Sequence, residues 1–401
     1  MPKKYNYLVG LDLGSHWTRC AVAIEENSRL RFISSGLAPS RGWARGVIAD
    51  QDPVLESVEK AIEEAEKNGG MIVEAAVAGV GGSHIKSNVC HSYVNLPAGE
   101  SQIQHEHVEA LVKAAGQGPL SDDRTAVQII PLEFIVDQQA EVRNPRGMYG
   151  KRLDGHVQVI SASAQAHNNV RAVVNRAGVV VEETIFEAFA AAYAVLEEQE
   201  REMGVAVADM GAGSIDLVAY HQNDLKLATA IPIGGDHFIN DVAEVLRTSR
   251  PAAEQIIEQY GCVSAEESPS KVMIEVPGLG EEPWRTVPRQ LLNEILRARA
   301  EETFDLVRKE IQRARLADRM IAGLVLTGGL AGLVGACDVA EEILNTSCRI
   351  GLPPKLEDLP DDLDDPGWAT AIGLVLYAQR LRLHRQRRRD SAREWLKAIF
   401  E

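Results

Sequence analysis

Two stretches of this chain carry the residue types that handle phosphate and a divalent cation. One is Leu8-Val-Gly-Leu-Asp-Leu-Gly-Ser-His-Trp-Thr-Arg-Cys-Ala-Val22; the other is Val205-Ala-Val-Ala-Asp-Met-Gly-Ala-Gly-Ser-Ile-Asp-Leu-Val-Ala-Tyr220. Each reads as an apolar strand closing on an aspartate (Asp12, Asp209), a glycine reversal (Gly14; Gly211 and Gly213) and a second strand. Glycine lets a backbone turn approach a ligand closely and take positive φ. Successive N–H groups in such a turn form an anion-binding nest. An aspartate at the strand end can hold Mg²⁺ through water while the turn holds phosphate oxygens. Either copy alone reads equally well as an ordinary hairpin. Two copies in the same order point to two related halves gripping one nucleotide.

The elements that must position these turns are those of a doubly wound α/β protein. At 401 residues the chain is long enough for two to three domains, and its 45% apolar and 25% charged content is that of a globular protein. A net charge of −16 argues against general nucleic-acid binding, which needs clustered Lys and Arg. Five cysteines lie scattered with no C-x-x-C pair, which speaks against a disulfide framework or a zinc site and for a reducing compartment. Met1-Pro-Lys-Lys leads at once into a strand, so no signal peptide is evident, and no apolar run is long enough to span a bilayer. The expectation is a cytoplasmic protein, attached to a membrane at most peripherally.

In chain order, a first domain is expected over residues 1–83, 163–198 and 358–380, interrupted by an inserted subdomain at 84–162. A second domain is expected over 199–233 and 305–357, with its own small subdomain at 234–304. Val54, Val58, Ile62 and Ala65 recur at helical spacing ahead of Gly69-Gly70, and Phe186 to Val195 reads as a small-residue helix suited to close packing. Arg250-Pro251 marks a break in the helical stretch Asp236–Tyr260, and residues 268–284 read as a strand pair. Pro288 to Arg315 is a long amphipathic helix. Ile321 to Leu330 is a buried strand running into the glycine turn Gly328-Gly329, the end at which an open α/β sheet presents its ligand crevice.

The tail differs from the rest. Arg380, Arg382, Arg385, Arg387, Arg388 and Arg389 form a basic run, after which Ser391 and Glu394 have capping-box spacing and predict a fresh helix start. Trp395, Leu396, Ile399 and Phe400 share one face of that helix. An aromatic-aliphatic face beside cations suits an anionic lipid surface. A terminal helix docked on its own domain is the alternative, but it has no need of the basic run.

With both hairpins placed, the chain resembles the actin/hexokinase/heat-shock ATPase superfamily and, within it, the FtsA family of bacterial cell-division actins. The resemblance covers nearly the whole chain. It rests on Leu37-Ala-Pro-Ser-Arg-Gly-Trp-Ala-Arg-Gly-Val-Ile-Ala-Asp50, Ala78-Gly-Val-Gly-Gly-Ser-His-Ile85, Pro131-Leu-Glu-Phe-Ile-Val-Asp137 and Asn144-Pro-Arg-Gly-Met-Tyr-Gly-Lys-Arg-Leu153. Gly234-Gly-Asp-His-Phe-Ile-Asn-Asp241, Leu246-Arg-Thr248, Tyr260-Gly-Cys262 and Val325-Leu-Thr-Gly-Gly329 extend it. It implies an actin-like (ribonuclease H-like) two-domain ATPase fold with an inserted subdomain and a C-terminal amphipathic helix.

Carried over to this chain, the resemblance implies ATP and Mg²⁺ as ligands. Asp12, Gly14 and Ser15 would form the first phosphate loop and Asp209, Gly211, Gly213, Ser214 and Asp216 the second, with Asp12 and Asp209 beside the metal. Glu187 would stand near the attacking water. Gly234, Gly235 and Glu254 would border the adenosine, Thr327, Gly328 and Gly329 would close over it, and Arg299 matches an arginine of the family's long helix. The departures are Trp17 and Ile257, which replace two expected lysines, Ala212, which replaces a glycine, and Ala188, which replaces a proline. Arg19, on the same strand parity as Trp17, is the substitute cation. Losing charge-assisted contacts predicts weak triphosphate binding, with turnover weak or absent.

The implied function is a membrane-peripheral scaffold on the inner face of the cell membrane at the division site. It would self-associate into filaments, tether FtsZ by that protein's C-terminal peptide and recruit other division proteins. Arg285 and Arg289 are the candidate peptide contacts, although solvated surface arginines are as good a description of them. The rival readings are a sugar kinase, suggested by Asp12-x-Gly-Ser-x-x-x-Arg19, and a pilus-assembly actin.

Overall fold

The structure, a computed structural model, describes residues 7–27, 29–44, 46–97, 102–116, 118, 120–264, 272–280 and 283–400, apart from the side chains of residues 384 and 386–400. The chain opens with β1 (Leu8–Leu13), β2 (Trp17–Glu26) and β3 (Arg29–Pro39), followed by the short hairpin β4 (Trp43–Ala44) and β5 (Val47–Ile48). Helix α1 (Gln51–Gly69) starts where the Asp50 carboxylate accepts the N–H of Asp52 and stops at Gly70, whose φ of 62° is left-handed. Its Val54, Val58, Ala61, Ile62 and Ala65 form one stripe, buried on the sheet. Strand β6 (Ala75–Val80) then pairs parallel to β1.

The insertion contains β7 (Lys86–Asn95), α2 (His105–Gly116), β8 (Arg124–Val136), β9 (Gln139–Val142) and β10 (Arg152–Ser163). Its sheet has the order β7-β10-β8-β9. Ile103, Leu111, Phe134, Leu153 and Val157 give it a core of its own. The chain returns through α3 (Ala164–Arg176) to β11 (Val180–Phe186), which completes a first sheet of order β11-β6-β1-β2-β3. Helix α4 (Glu187–Val195) follows, with most of its alanines buried, and α5 (Glu198–Met203) leads into the second half.

That half repeats the plan. Strands β12 (Val205–Met210), β13 (Ile215–His221) and β14 (Asp224–Ile231) pair antiparallel like β1, β2 and β3. The expected helical stretch is two helices, α6 (Gly235–Val245) and α7 (Arg250–Tyr260). Pro251 sits in the first turn of α7, where its missing N–H costs nothing, and Ser249 caps the start. Strands β15 (Met273–Val276) and β16 (Arg285–Pro288) pair antiparallel, so the second strand lies just beyond the expected 268–284. Helix α8 (Arg289–Arg313) buries Leu292, Leu296, Ala300, Phe304, Val307 and Ile311 at three- and four-residue spacing.

Strand β17 (Gly323–Thr327), helix α9 (Ala336–Leu344) and strand β18 (Cys348–Ile350) close a second sheet of order β14-β13-β12-β17-β18. Both five-stranded sheets therefore hold three antiparallel strands and then two parallel ones. The last helix, α10 (Ala369–Phe400), packs its first turns on β1 and α4. It runs without interruption past Ser391, so the fresh start expected there is absent. Residues 380–390 contain no breaker and are rich in helix-forming Arg, Leu and Gln, which lets the helix pass through the capping-box spacing. Among the described residues no helix is long and apolar enough to cross a membrane.

Candidate functional site

The two glycine reversals follow the C-terminal ends of β1 and β12, the central strands of the two sheets. In the first hairpin Asp12 lies directly across from Arg19, and in the second Asp209 lies across from Asp216. The Arg19 guanidinium reaches Asp12 at 3.7 Å and stacks 5.8 Å over the Trp368 ring. Asp209 accepts the Thr370 hydroxyl at 2.6 Å, so the first turn of α10 anchors the second half's aspartate. Asp216 accepts the Gly82 N–H at 3.2 Å from the far domain. Backbone meets backbone between the halves at Gly213, where an added Cβ would come 2.8 Å from the Gly46 nitrogen. A side chain there would wedge the halves apart.

Both reversals line one cavity of ≈ 380 Å³. Asp12, Gly14, Ser15 and Arg19 line it from the first half. Asp209, Gly211, Gly213, Ser214 and Asp216 line it from the second. Glu187 projects into it from the start of α4, and Gly235, Glu254, Gly328 and Gly329 form its far wall. Gly328 has φ 83°, and a Cβ on it would meet Asp209 Oδ1 at 2.3 Å, so only glycine fits that turn. Trp17 and Ile257, where the resemblance leads one to expect lysines, also line the cavity, as does Ala212.

The electrostatics are lopsided. Asp12 and Asp216 are buried and Glu187 and Asp209 half-buried, with Arg19 as the near cation. Burial raises the Asp12 carboxyl to about 7, opposed by Arg19 and helped by Asp209. Burial and the Asp209 charge raise Asp216 to about 8, despite the Gly82 N–H. Glu187 rises well above the usual carboxylate range through burial and then Asp12, Asp216 and Asp209. Asp209 is raised by burial, with Thr370 and Arg19 holding it back. Hard oxygen donors that repel one another are the chemistry a divalent cation relieves. Among the described residues no group of three or more His, Cys, Asp or Glu side chains is placed to hold a metal directly.

Several expected residues lie elsewhere. Thr327 is fully buried, and its hydroxyl donates to the Gly351 and Pro366 carbonyls, both at 3.0 Å, so it braces the turn rather than closing over a ligand. Its side chain ends β17 facing inward, and strand parity decides that. Gly234 sits behind the wall, where a Cβ would strike the Gly211 and Ala212 carbonyls. Arg299 is held by Asp241 at 2.8 Å and by Glu302, outside the cavity. Arg289 donates to the Tyr260 carbonyl at 2.9 Å, and Arg285 lies half-buried on β16, so neither is simply a solvated arginine. The side chains of Trp395, Leu396, Ile399 and Phe400 lie outside the described residues.

Sequence reasoning did not single out Thr370, Asp365, Gly367 or His16, all of which line the cavity. His16 Nε2 lies 3.2 Å from Glu254 Oε1 across the opening. Asp365, Gly367 and Thr370 come from the turn before α10 and its start, far along the chain, and no local spacing signals them.

The cell division protein FtsA of Pseudomonas aeruginosa is 33% identical to this chain over 371 residues, covering 92% of it and 88% of the relative. The chain belongs to the FtsA family. The model described as cell division protein FtsA matches residues 206–373, and the model described as the SHS2 domain inserted in FtsA matches residues 82–161. Among solved structures, a PilM–PilN type IV pilus biogenesis complex superposes with a TM-score of 0.66 at 16% identity, covering 92% of this chain and 98% of its own. MreB5 of Spiroplasma citri bound to AMPPNP superposes with a TM-score of 0.57 at 14% identity, covering 96% and 99%. The solved structures show that the fold is actin-like, and the second family model marks the inserted subdomain.

Proposed function

We propose that this FtsA-family chain binds Mg²⁺·ATP between its two glycine turns and works as a peripheral scaffold that holds the FtsZ ring to the membrane. The observation that carries the nucleotide reading is that Asp12 and Asp209, with both turns, line a single cavity. The likeness to an AMPPNP-bound MreB supports it. Asp12 and Asp209 would hold a hydrated Mg²⁺, which when bound screens the phosphates from the acidic wall. Gly14, Ser15, Gly211, Gly213 and Ser214 would face the phosphates with Arg19 as the cation. Gly235, Glu254, Gly328 and Gly329 would border the nucleoside. Burial and the neighbouring carboxylates raise the Glu187 carboxyl well above the usual carboxylate range, and the absence of lysines at Trp17 and Ile257 fits turnover that is weak or absent.

The membrane and partner roles rest on family membership together with the basic run and apolar positions of the tail. Arg285 and Arg289, on β16 and the start of α8, are the proposed contacts for the acidic C-terminal peptide of FtsZ. Self-association into filaments and recruitment of other division proteins complete the reading. The deciding experiment is co-sedimentation of the full chain with anionic vesicles against a chain ending at Arg389, with and without Mg²⁺·ATP. The full chain is expected to pellet and the shortened one to stay in solution. If both stay in solution, the tether reading is wrong.

A further inference from the structure

No spacing in the sequence pairs any of the five cysteines, yet the fold brings two together. Cys337 is the second residue of α9 and Cys348 the first of β18, and Cys348 donates its S–H to Cys337 Sγ at 3.3 Å. Between them the chain leaves α9 through Asn345, at φ 53°, and doubles back. A second contact pins the same corner. Glu341, one turn beyond Cys337 on the same face of α9, accepts the Cys348 N–H at 2.8 Å. Sulfurs held this way need to close by little more than about 1 Å to reach S–S bonding distance.

The same pair is the reactive one. Cys337 and Cys348 are both partly exposed, whereas Cys20, Cys90 and Cys262 are buried. Burial pushes the Cys20 thiol up to about 12 and raises Cys90 too. The S–H of Cys348 lowers Cys337 instead, against the pull of burial, Glu341 and Asp338, while the same bond and burial raise Cys348, so Cys337 is the attacking thiol. A thiol's reactivity follows its thiolate fraction and its access.

We propose that Cys337 and Cys348 are a redox-active dithiol that hydrogen peroxide closes into an intramolecular disulfide, stapling α9 to β18. The Cys337 thiolate attacks one peroxide oxygen and the O–O bond breaks. The departing hydroxide takes up the proton Cys337 gave away and leaves as water. The Cys348 sulfur then displaces the hydroxyl of the Cys337 sulfenic acid, which departs with the Cys348 proton as a second water. Two thiols lose two electrons and two hydrogens, and one peroxide becomes two waters.

The staple acts on the second half of the nucleotide cavity. Strand β18 runs directly into Gly351, which donates its N–H to the Leu326 carbonyl at 2.7 Å and accepts the Thr327 hydroxyl at 3.0 Å. Those residues lead straight into Gly328 and Gly329 of the cavity wall.

The test uses the full reduced chain and a small molar excess of hydrogen peroxide. Thiols are counted after unfolding with a chromogenic disulfide, and peptides are mapped without reductant. Two of the five thiols are expected to disappear. A cross-linked peptide joining Cys337 and Cys348 is expected, lighter by two hydrogens and restored by dithiothreitol. Cys337→Ser and Cys348→Ala should each abolish it, and Cys90→Ser should leave it intact. If either pair variant fails to fold, the other carries the test. Retention of all five thiols, oxidation that stops at sulfinic acid without a bridge, or a bridge to any other cysteine overturns the proposal.

Discussion

The two hairpins share one plan, but the rung facing each aspartate holds a guanidinium in the first and a carboxyl in the second. Across from Asp12 stands Arg19, and across from Asp209 stands Asp216. Arg19 stays within its own domain, between Asp12 and the Trp368 ring. Asp216 reaches out of its own half to the Gly82 N–H of the other. The same rung has thus been put to two uses: local positive charge in the cavity in the first half, and a clasp between halves in the second. Equivalent positions in a duplicated fold need not do equivalent work.

Making the halves alike should break this division most severely. Asp216→Arg removes the acceptor for Gly82 and places a second cation in the buried cluster. It is expected to destabilise the ligand-free protein by about 3 kcal/mol or more in urea unfolding. A loss below about 1 kcal/mol would mean that Asp216 clasps nothing.

The first half answers to a different measurement. Arg19→Ala should leave folding nearly intact while weakening Mg²⁺·ATP binding by about ten- to a hundred-fold, the worth of one charge-assisted contact. Arg19→Lys should recover part of it in calorimetric titration. Equal affinity in all three proteins would remove Arg19 from the site.

The smallest effect is a slope. Burial holds the Asp12 and Asp216 carboxyls of the folded chain up at about 7 and about 8, above the ordinary 3.8. The folded chain therefore holds more protons than the unfolded one between those limits. The stability this contributes is fully present below about pH 4 and is lost as pH rises through about 7 to 8. Stability of the ligand-free protein should fall over that window, and Asp216→Asn should flatten it by at most about 1.4 kcal/mol per pH unit. An unchanged slope in the variant would show that Asp216 is already charged.

What was legible in the sequence is what local spacing encodes. The aspartate-glycine turns, the α1 stripe and the α8 stripe are all set by residues within a few positions of each other, and each falls into its expected element. What escaped depends on contacts across the chain. Thr370 meets Asp209 and Gly46 meets Gly213 only after two domains have docked. Thr327 lies in a recognisable strand-turn, but whether its hydroxyl faces ligand or core is fixed by strand parity against Gly351 and Pro366. Ser391 carries a capping signal that the unbroken helix overrides, because a cap acts only where the preceding residues leave the helix. Cys337 and Cys348 meet through a left-handed residue, Asn345, at which the chain doubles back.

Helix α10 has a mechanical consequence. Its root holds Asp209 through Thr370, and the same rod continues to Phe400. At 1.5 Å per residue, its 32 residues make a shaft about 48 Å long. It is seated on the first domain well past its root: Arg382 donates to the Tyr7 carbonyl and Arg385 pairs with Glu182 of β11 at 2.6 Å. One stiff rod thus ties a carboxylate of the second half to the outer strand of the first sheet.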